Sequence, residues 1–445
     1  MNRLSRRAFF LVPVFAFMTV ALLPSSADAA ATSRIERVVS KRGIEAWLVR
    51  QSNLPIIALD FAVRGGSAQD DAEKPGVAAL TAAMLDEGAG DMDTKAFHER
   101  MEERAISLSF SAGRDTFGGS VRMLSEHRAE AFELLRLAIT APRFDQEPLD
   151  RTRQTMLAGL RRSSTSAGAI ASEAFWAAAF PNHPYGRRPG GTLESLPKID
   201  RTDLIAFHRR VLARESLKVA VVGDITPEDL ATALDSIFGD LPETADLKPV
   251  PDVTMAAAGQ RRVISLEVPQ TVISFGLPGL KRDDPDFIPA FVLNQILGGG
   301  GMTSRLFSEV REKRGLAYSV SSGLTALDGT GLVTGGTSTR NDRAGESLAV
   351  IEAELKRIGL EGPTDEELAS AKRYLIGSWA LRFDTSNAIA GNLLRIRMDG
   401  FGPDYLDRRN GLIEAVTIED LRRVAKRLFA NGQPLVVAVG KPSGM

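Results

Sequence analysis

The chain is written twice, and this constrains its fold more than any other feature. Phe97-His98-Glu99-Arg100-Met101-Glu102-Glu103-Arg104-Ala105-Ile106-Ser107-Leu108 lies without a gap on Phe307-Ser308-Glu309-Val310-Arg311-Glu312-Lys313-Arg314-Gly315-Leu316-Ala317-Tyr318, with Phe, Glu and Arg recurring in register. Glu147-Pro148-Leu149, followed by Arg153 and Met156, matches Glu366-Glu367-Leu368, followed by Lys372 and Leu375. Asp203-Leu204 running to Val219-Ala220-Val221-Val222-Gly223 matches Asp420-Leu421 running to Val436-Val437-Ala438-Val439-Gly440. Three blocks at offsets of about 210, 219 and 217 residues indicate duplication of a unit of roughly 200 residues. Length agrees, since a single core stops growing at roughly 250–300 residues and this chain has 445. Two lobes are expected, at 34–240 and 259–445, joined by a linker at 241–258 that contains proline and alanine.

Within the first unit, Ile44–Val49 and Ile56–Val63 are rich in branched residues and read as strands. Pro75–Leu85 reads as a helix, with proline in its first turn and Gly88 just past its end. A helix over 94–104 follows, then strands near 106–112 and 116–123, then helices near 126–139 and 147–161. Paired strands followed by runs of helices give an α+β class, with each lobe an antiparallel sheet covered by helices.

Composition removes several functions. The net charge is -1, with acids and bases interspersed, so no field points to nucleic acid or to an anionic membrane. The absence of cysteine excludes disulfides, thiolate metal sites and a cysteine nucleophile. A zinc site would need histidines and carboxylates, and the histidines are His98, His127, His183 and His208, each at least about 25 residues from the next. The chain carries neither G-x-S-x-G nor G-x-x-x-x-G-K. At the amino terminus, Arg3, Arg6 and Arg7 precede an apolar run from Phe9 to Leu23 and an Ala27-Asp28-Ala29 cleavage pattern. Residues 1–29 therefore read as a signal peptide, shorter than the roughly twenty apolar residues of a spanning helix. Ser5-Arg6-Arg7 fits a twin-arginine route as well as the general secretory one, and the expected location is the periplasm.

Several stretches resemble the insulinase/pitrilysin metallopeptidases, the inverzincins, in their shorter two-lobed form. The clearest runs from Leu297-Gly298-Gly299-Gly300-Gly301-Met302-Thr303-Ser304-Arg305-Leu306-Phe307 through Val310-Arg311-Glu312-Lys313 to Gly315-Leu316-Ala317-Tyr318. Arg64-Gly65-Gly66-Ser67, Pro75-Gly76-Val77-Ala78 and Pro181-Asn182-His183-Pro184-Tyr185-Gly186 fit first-lobe patterns of that family. Active members carry H-x-x-E-H on the helix after the Pro-Gly stretch, because positions i and i+4 share a helix face and bring both rings to one zinc. Here those places fall on Ala79, Ala82 and Ala83, and the third ligand would fall near Ala158 and Gly159. None of these side chains binds metal or moves a proton. The resemblance therefore implies a chain with no cofactor of its own, resembling the family's non-catalytic subunit. It implies a zinc-bearing homologous partner, a peptide substrate, Arg311 and Tyr318 acting in trans on that substrate, and Gly298, Gly299, Gly300 and Gly301 as a peptide-touching loop. Met101 and Leu108 are the first-lobe counterparts of Arg311 and Tyr318 in the ungapped alignment. The alternative is an assembly scaffold or peptide-binding protein without a protease role. His183 reads as structural.

Overall fold

Runs of branched and apolar residues build two sheets whose central strands are buried on both faces. In the computed structural model, which describes residues 35–430 and 432–445, the first sheet holds β1 (Glu36–Val39), β2 (Glu45–Arg50), β3 (Ile56–Arg64), β4 (Ser107–Ala112), β5 (Thr116–Leu124) and β6 (Lys218–Gly223) in the order β1-β2-β6-β3-β5-β4. The second holds β7 (Arg261–Ser265), β8 (Gln270–Pro278), β9 (Ala317–Leu327), β10 (Thr330–Arg340) and β11 (Leu435–Gly440) in the order β7-β11-β8-β10-β9. Setting β1 aside, the two orders are the same topology. Only β2–β6 and β7–β11 among the described pairs run parallel. The segment expected to direct export lies outside the described residues.

Successive side chains on a strand point to opposite faces. Ile57, Leu59, Phe61 and Val63 of β3 therefore enter one core, with Leu134, Leu135, Phe207 and Ile237 from helices Arg128–Thr140, Arg201–Val211 and Pro227–Phe238. Ile273, Phe275 and Leu277 of β8 do the same against Val292, Leu355 and Leu428 of helices Phe287–Asn294, Ala344–Glu361 and Ile418–Phe429. Capping boxes at Asp200/Asp203, Thr364/Glu367 and Thr417/Asp420 start three of the helices. The helix expected over Pro75–Leu85 covers only Val77–Ala82. Beyond it Met84 N–H bonds Thr81 O and Leu85 N–H bonds Ala82 O, so the chain tightens into turns.

The remaining face of each sheet is covered by a helix from the other half. Helix Ala167–Ala179 lays Ala171, Phe175 and Ala178 against Leu435, Val437 and Val439 of β11. Helix Ser386–Met398 lays Ile389, Ala390, Leu393 and Ile396 against Trp47, Ala58, Ala220 and Val222 of the first sheet. At the end of that second helix the buried Arg397 donates to Val219 O at 2.5 Å and to Glu45 O at 3.0 Å, and pairs with Glu45 Oε1 at 3.1 Å. The β9–β10 turn is tied back as well. The Tyr185 hydroxyl donates to Asp115 Oδ1 at 2.8 Å and accepts from Gly329 N–H at 3.0 Å.

Candidate functional site

Helix Val77–Ala82 is held in place by Asp70, which accepts from Gly76 N–H at 2.7 Å and Ala78 N–H at 2.9 Å. A carboxylate at a helix start satisfies amides that have no partner within the helix. The side chains here do not fit the family's zinc: Ala82 is buried, Ala83 is exposed and Ala79 lies between them in exposure. Ala158 and Gly159 lie on helix Gln146–Ser163 and also offer no ligand. Among the described residues no group of three histidines or carboxylates stands close enough to hold a metal ion. Two histidines are spent on the backbone. His183 Nδ1 accepts from Tyr185 N–H at 3.2 Å and its Nε2 bonds Pro251 O at 3.1 Å. His208 Nε2 bonds Ile139 O at 2.8 Å, and burial pushes its pKa down, keeping the ring neutral.

In the second lobe the glycine run begins inside a π turn, Gln295–Gly299, and continues past its end. Gly298 is glycine because a Cβ there would stand 2.4 Å from Ser322 Oγ and 2.6 Å from Ser322 N. Gly299 and Gly300 are similarly crowded by Asn294 and Gln295. Gly301 faces open space and takes a left-handed φ of +58°. Packing therefore accounts for three of the four glycines, and backbone conformation for the fourth. The segment that follows is fixed by Arg305, which holds Glu367 in a fork at 2.6 and 2.7 Å. It is fixed again by Glu309, whose carboxyl the Lys313 ammonium, with Arg314, holds below the usual range.

Arg311 lies on a second π turn, Ser308–Glu312. Its guanidinium carbon is 4.8 Å from the Phe307 ring centroid and 4.7 Å from that of Tyr318, a stack between a buried ring and an exposed one. Tyr318 is 81% exposed at the start of the edge strand β9. Neither the guanidinium N–H groups nor the phenol hydroxyl has a hydrogen-bond partner among the described residues. Both are donors held in place by stacking and left available at the surface.

Strand register corrects the alignment of these residues with the first lobe. Phe61 faces Gly119, as Phe275 faces Gly335, and that equivalence places Val121 with Thr337 and Arg122 with Ser338. Leu108 faces Val121 and Val320 faces Thr337, so the counterpart of Leu108 is Val320. Between the Val320–Thr337 and Ala317–Thr339 pairs, Tyr318 and Ser319 together oppose Ser338, where the first lobe has the single pair Ser107–Arg122. The second lobe has gained two residues between Phe307 and Val320, one in the π turn and one in the β-bulge. Insertions of both kinds re-aim side chains and recur at functional sites. The ungapped sequence match runs across both and conceals them.

Comparison with known proteins agrees with this architecture. Residues 48–192 match the family profile described as insulinase (peptidase family M16), and residues 198–375 match that of the peptidase M16 inactive domain. The crystal structure of a peptidase M16 inactive domain from Pseudomonas fluorescens superposes with a TM-score of 0.85 at 30% identity, covering 92% of this chain and 98% of that one. The non-peptidase homolog YmxG of Helicobacter pylori is 28% identical over 333 residues, 75% of this chain and 77% of its own length. An uncharacterized zinc protease of Streptomyces coelicolor is 27% identical over 350 residues, 74% and 76% of the two chains.

Proposed function

The chain belongs to the insulinase family of peptidases, M16, as one of its non-catalytic members, and from that premise we propose that it is one subunit of a two-chain zinc metallopeptidase. It closes the peptide chamber against a homologous chain that carries H-x-x-E-H, and it presents Arg311 and Tyr318 in trans to peptide bound at the partner's zinc. The observation that carries this reading is the state of the pair: two unengaged donors are mounted on two one-residue insertions, in a chain whose own zinc positions are alanines. A scaffold has no need of such a device. A phenol can donate to the oxygen of a scissile carbonyl as it gains charge, and a guanidinium can orient the same peptide group. The export signal expected in residues 1–29 would put the pair in the periplasm.

The test is reconstitution with the zinc-bearing homologue. One complex should survive size-exclusion chromatography, and it should cleave a quenched fluorescent peptide in a chelator-sensitive manner, with none from this chain alone. Tyr318→Phe removes only the hydroxyl, so assembly should persist while kcat falls on the order of 10²-fold with KM little changed. Separate elution of the two chains would overturn the pairing. Cleavage by an assembled Tyr318→Phe pair within about twofold of wild type would leave a scaffold or peptide-binding role as the better reading.

A further inference from the structure

The outer face of the first sheet and the helix that covers it do not close on one another. Between them lies a cavity of about 720 Å³, roofed by helix Ser386–Met398 and bounded by the β9–β10 turn and the Lys281–Asp283 loop. Small-molecule sites commonly span roughly 300–1,000 Å³. Asp60, at the centre of β3 and opposite Ser120 and Ala220, lines it. Its carboxylate reaches the helix, since a Cβ at Gly391 would stand 3.3 Å from Oδ2.

The charges along this wall are unevenly matched. Arg64 pairs with Asp328 and donates to Met398 O, Arg282 pairs with Asp399, and Lys281 pairs with Asp252. Arg114 donates to Tyr185 O and stacks on Trp176, and Arg395 of the roofing helix bonds the neutral Asn392 Oδ1 without an ion pair among the described residues. Asp60 has neither a hydrogen-bond donor nor an ion pair among the described residues, and Arg122 acts on it only through space. Beside it the Ser109 and Ser120 hydroxyls stand 3.0 Å apart and bond one another. A half-buried carboxylate without a partner still bears part of the cost of leaving water, and the fold does not require one here. At the equivalent register position the second sheet has Ser274, and there the covering helix fills the gap with Phe175, whose Cζ is 2.4 Å from where a Gly276 Cβ would stand.

We propose that this cleft binds a cationic head group, an alkylammonium or a guanidinium, with Asp60 as its counter-ion and the Ser120 and Ser109 hydroxyls as further acceptors. Its source is either a free amine or the side chain of a lysine or arginine in a peptide. The site shares no residue with the Arg311–Tyr318 surface, so it stands or falls independently of the peptidase reading.

Titration calorimetry of the purified chain with agmatine, and separately with an acetylated and amidated lysine tripeptide, tests it. At least one probe should bind saturably at one site per chain. Agmatine alone identifies a small-molecule site, and the tripeptide identifies a peptide site. Asp60→Asn, which keeps size and removes charge, should weaken binding roughly tenfold or more, and Ser120→Ala should weaken it less. Gly391→Ala favours the helix yet crowds Oδ2, so it should also weaken binding while leaving the charge in place. Absence of binding by both probes at millimolar concentration overturns the proposal, and so does binding that none of the three substitutions alters.

Discussion

Asp60 shows how a single residue can be read by what it costs. Burial, opposed only by Arg122, pushes its carboxyl from 3.8 to about 6. An acid whose pKa rises on folding holds its proton more tightly in the folded chain, so the ionised form is the one that folding disfavours. The contribution of Asp60 to stability should therefore drop as pH rises from about 4 to about 6 and remain lower above that. A displacement of this size corresponds to at most about 3 kcal/mol; with the carboxylate only partly buried, about 1–2 kcal/mol is expected. Asparagine does not titrate. Urea unfolding should thus find Asp60→Asn more stable than wild type at pH 8 and equal to it at pH 4. A less stable Asp60→Asn at pH 8 would make this carboxylate a structural anchor instead. Nothing in the sequence marks Asp60. A polar residue at an outward strand position ordinarily faces water, and the helix that covers it lies some 330 residues further along the chain. That Ala79, Ala82 and Ala83 offer no metal ligand is legible for the opposite reason. Metal ligation depends on residue type at a fixed helical spacing, so substitution alone decides it.

Among the elements, the segment from Gln295 to Tyr318 was legible in identity and hidden in shape. Its glycines, Arg311 and Tyr318 are visible in the sequence, but a π turn and a bulge each add one residue without disturbing the local apolar spacing. The same physics separates the glycines. Alanine at Gly298 would push the turn off β9 against the backbone of Ser322, which should cost roughly 1–3 kcal/mol. Alanine at Gly301 meets nothing and bears only the left-handed conformation, roughly 1 kcal/mol. Denaturant midpoints should rank Gly298→Ala as clearly the worse of the two, and equal losses would mean that the π turn is not seated on Ser322. Strands and most helices were easier to read. Their extents follow from runs of branched and apolar residues, as at Ile56–Arg64, and from caps encoded within a few residues, as where the Asp93 carboxylate accepts from Ala96 N–H at the start of helix Thr94–Glu103.

At the scale of the whole molecule, duplication is visible in the sequence and the exchange of helices is not. A helix's apolar stripe shows that one face is buried without showing which sheet buries it. Helix Ala167–Ala179 follows the first five strands of the first sheet yet serves the second, and helix Ser386–Met398 serves the first. A fully buried aliphatic or aromatic side chain contributes roughly 1.5–3 kcal/mol. Ile389, Leu393 and Ile396 on one side, with Phe175 and its neighbours on the other, therefore amount to about as much as the whole net stability of a typical domain, roughly 5–15 kcal/mol. Removing helix Ser386–Met398 would also strip Arg397 from the carbonyls of Glu45 and Val219 and bare Trp47 and Val222, and removing helix Ala167–Ala179 would bare Val437. The two halves, cut between residues 247 and 259 and expressed separately, should fail to give stable monomers. Expressed together they should co-purify as a one-to-one complex that unfolds in a single transition, at a midpoint lowered by Arg397→Ala, since breaking a buried charged contact costs about 3–5 kcal/mol. Two halves that each fold alone, with separate transitions insensitive to Arg397, would show that the repeated units stabilise themselves and that the exchanged helices are an ornament of the fold.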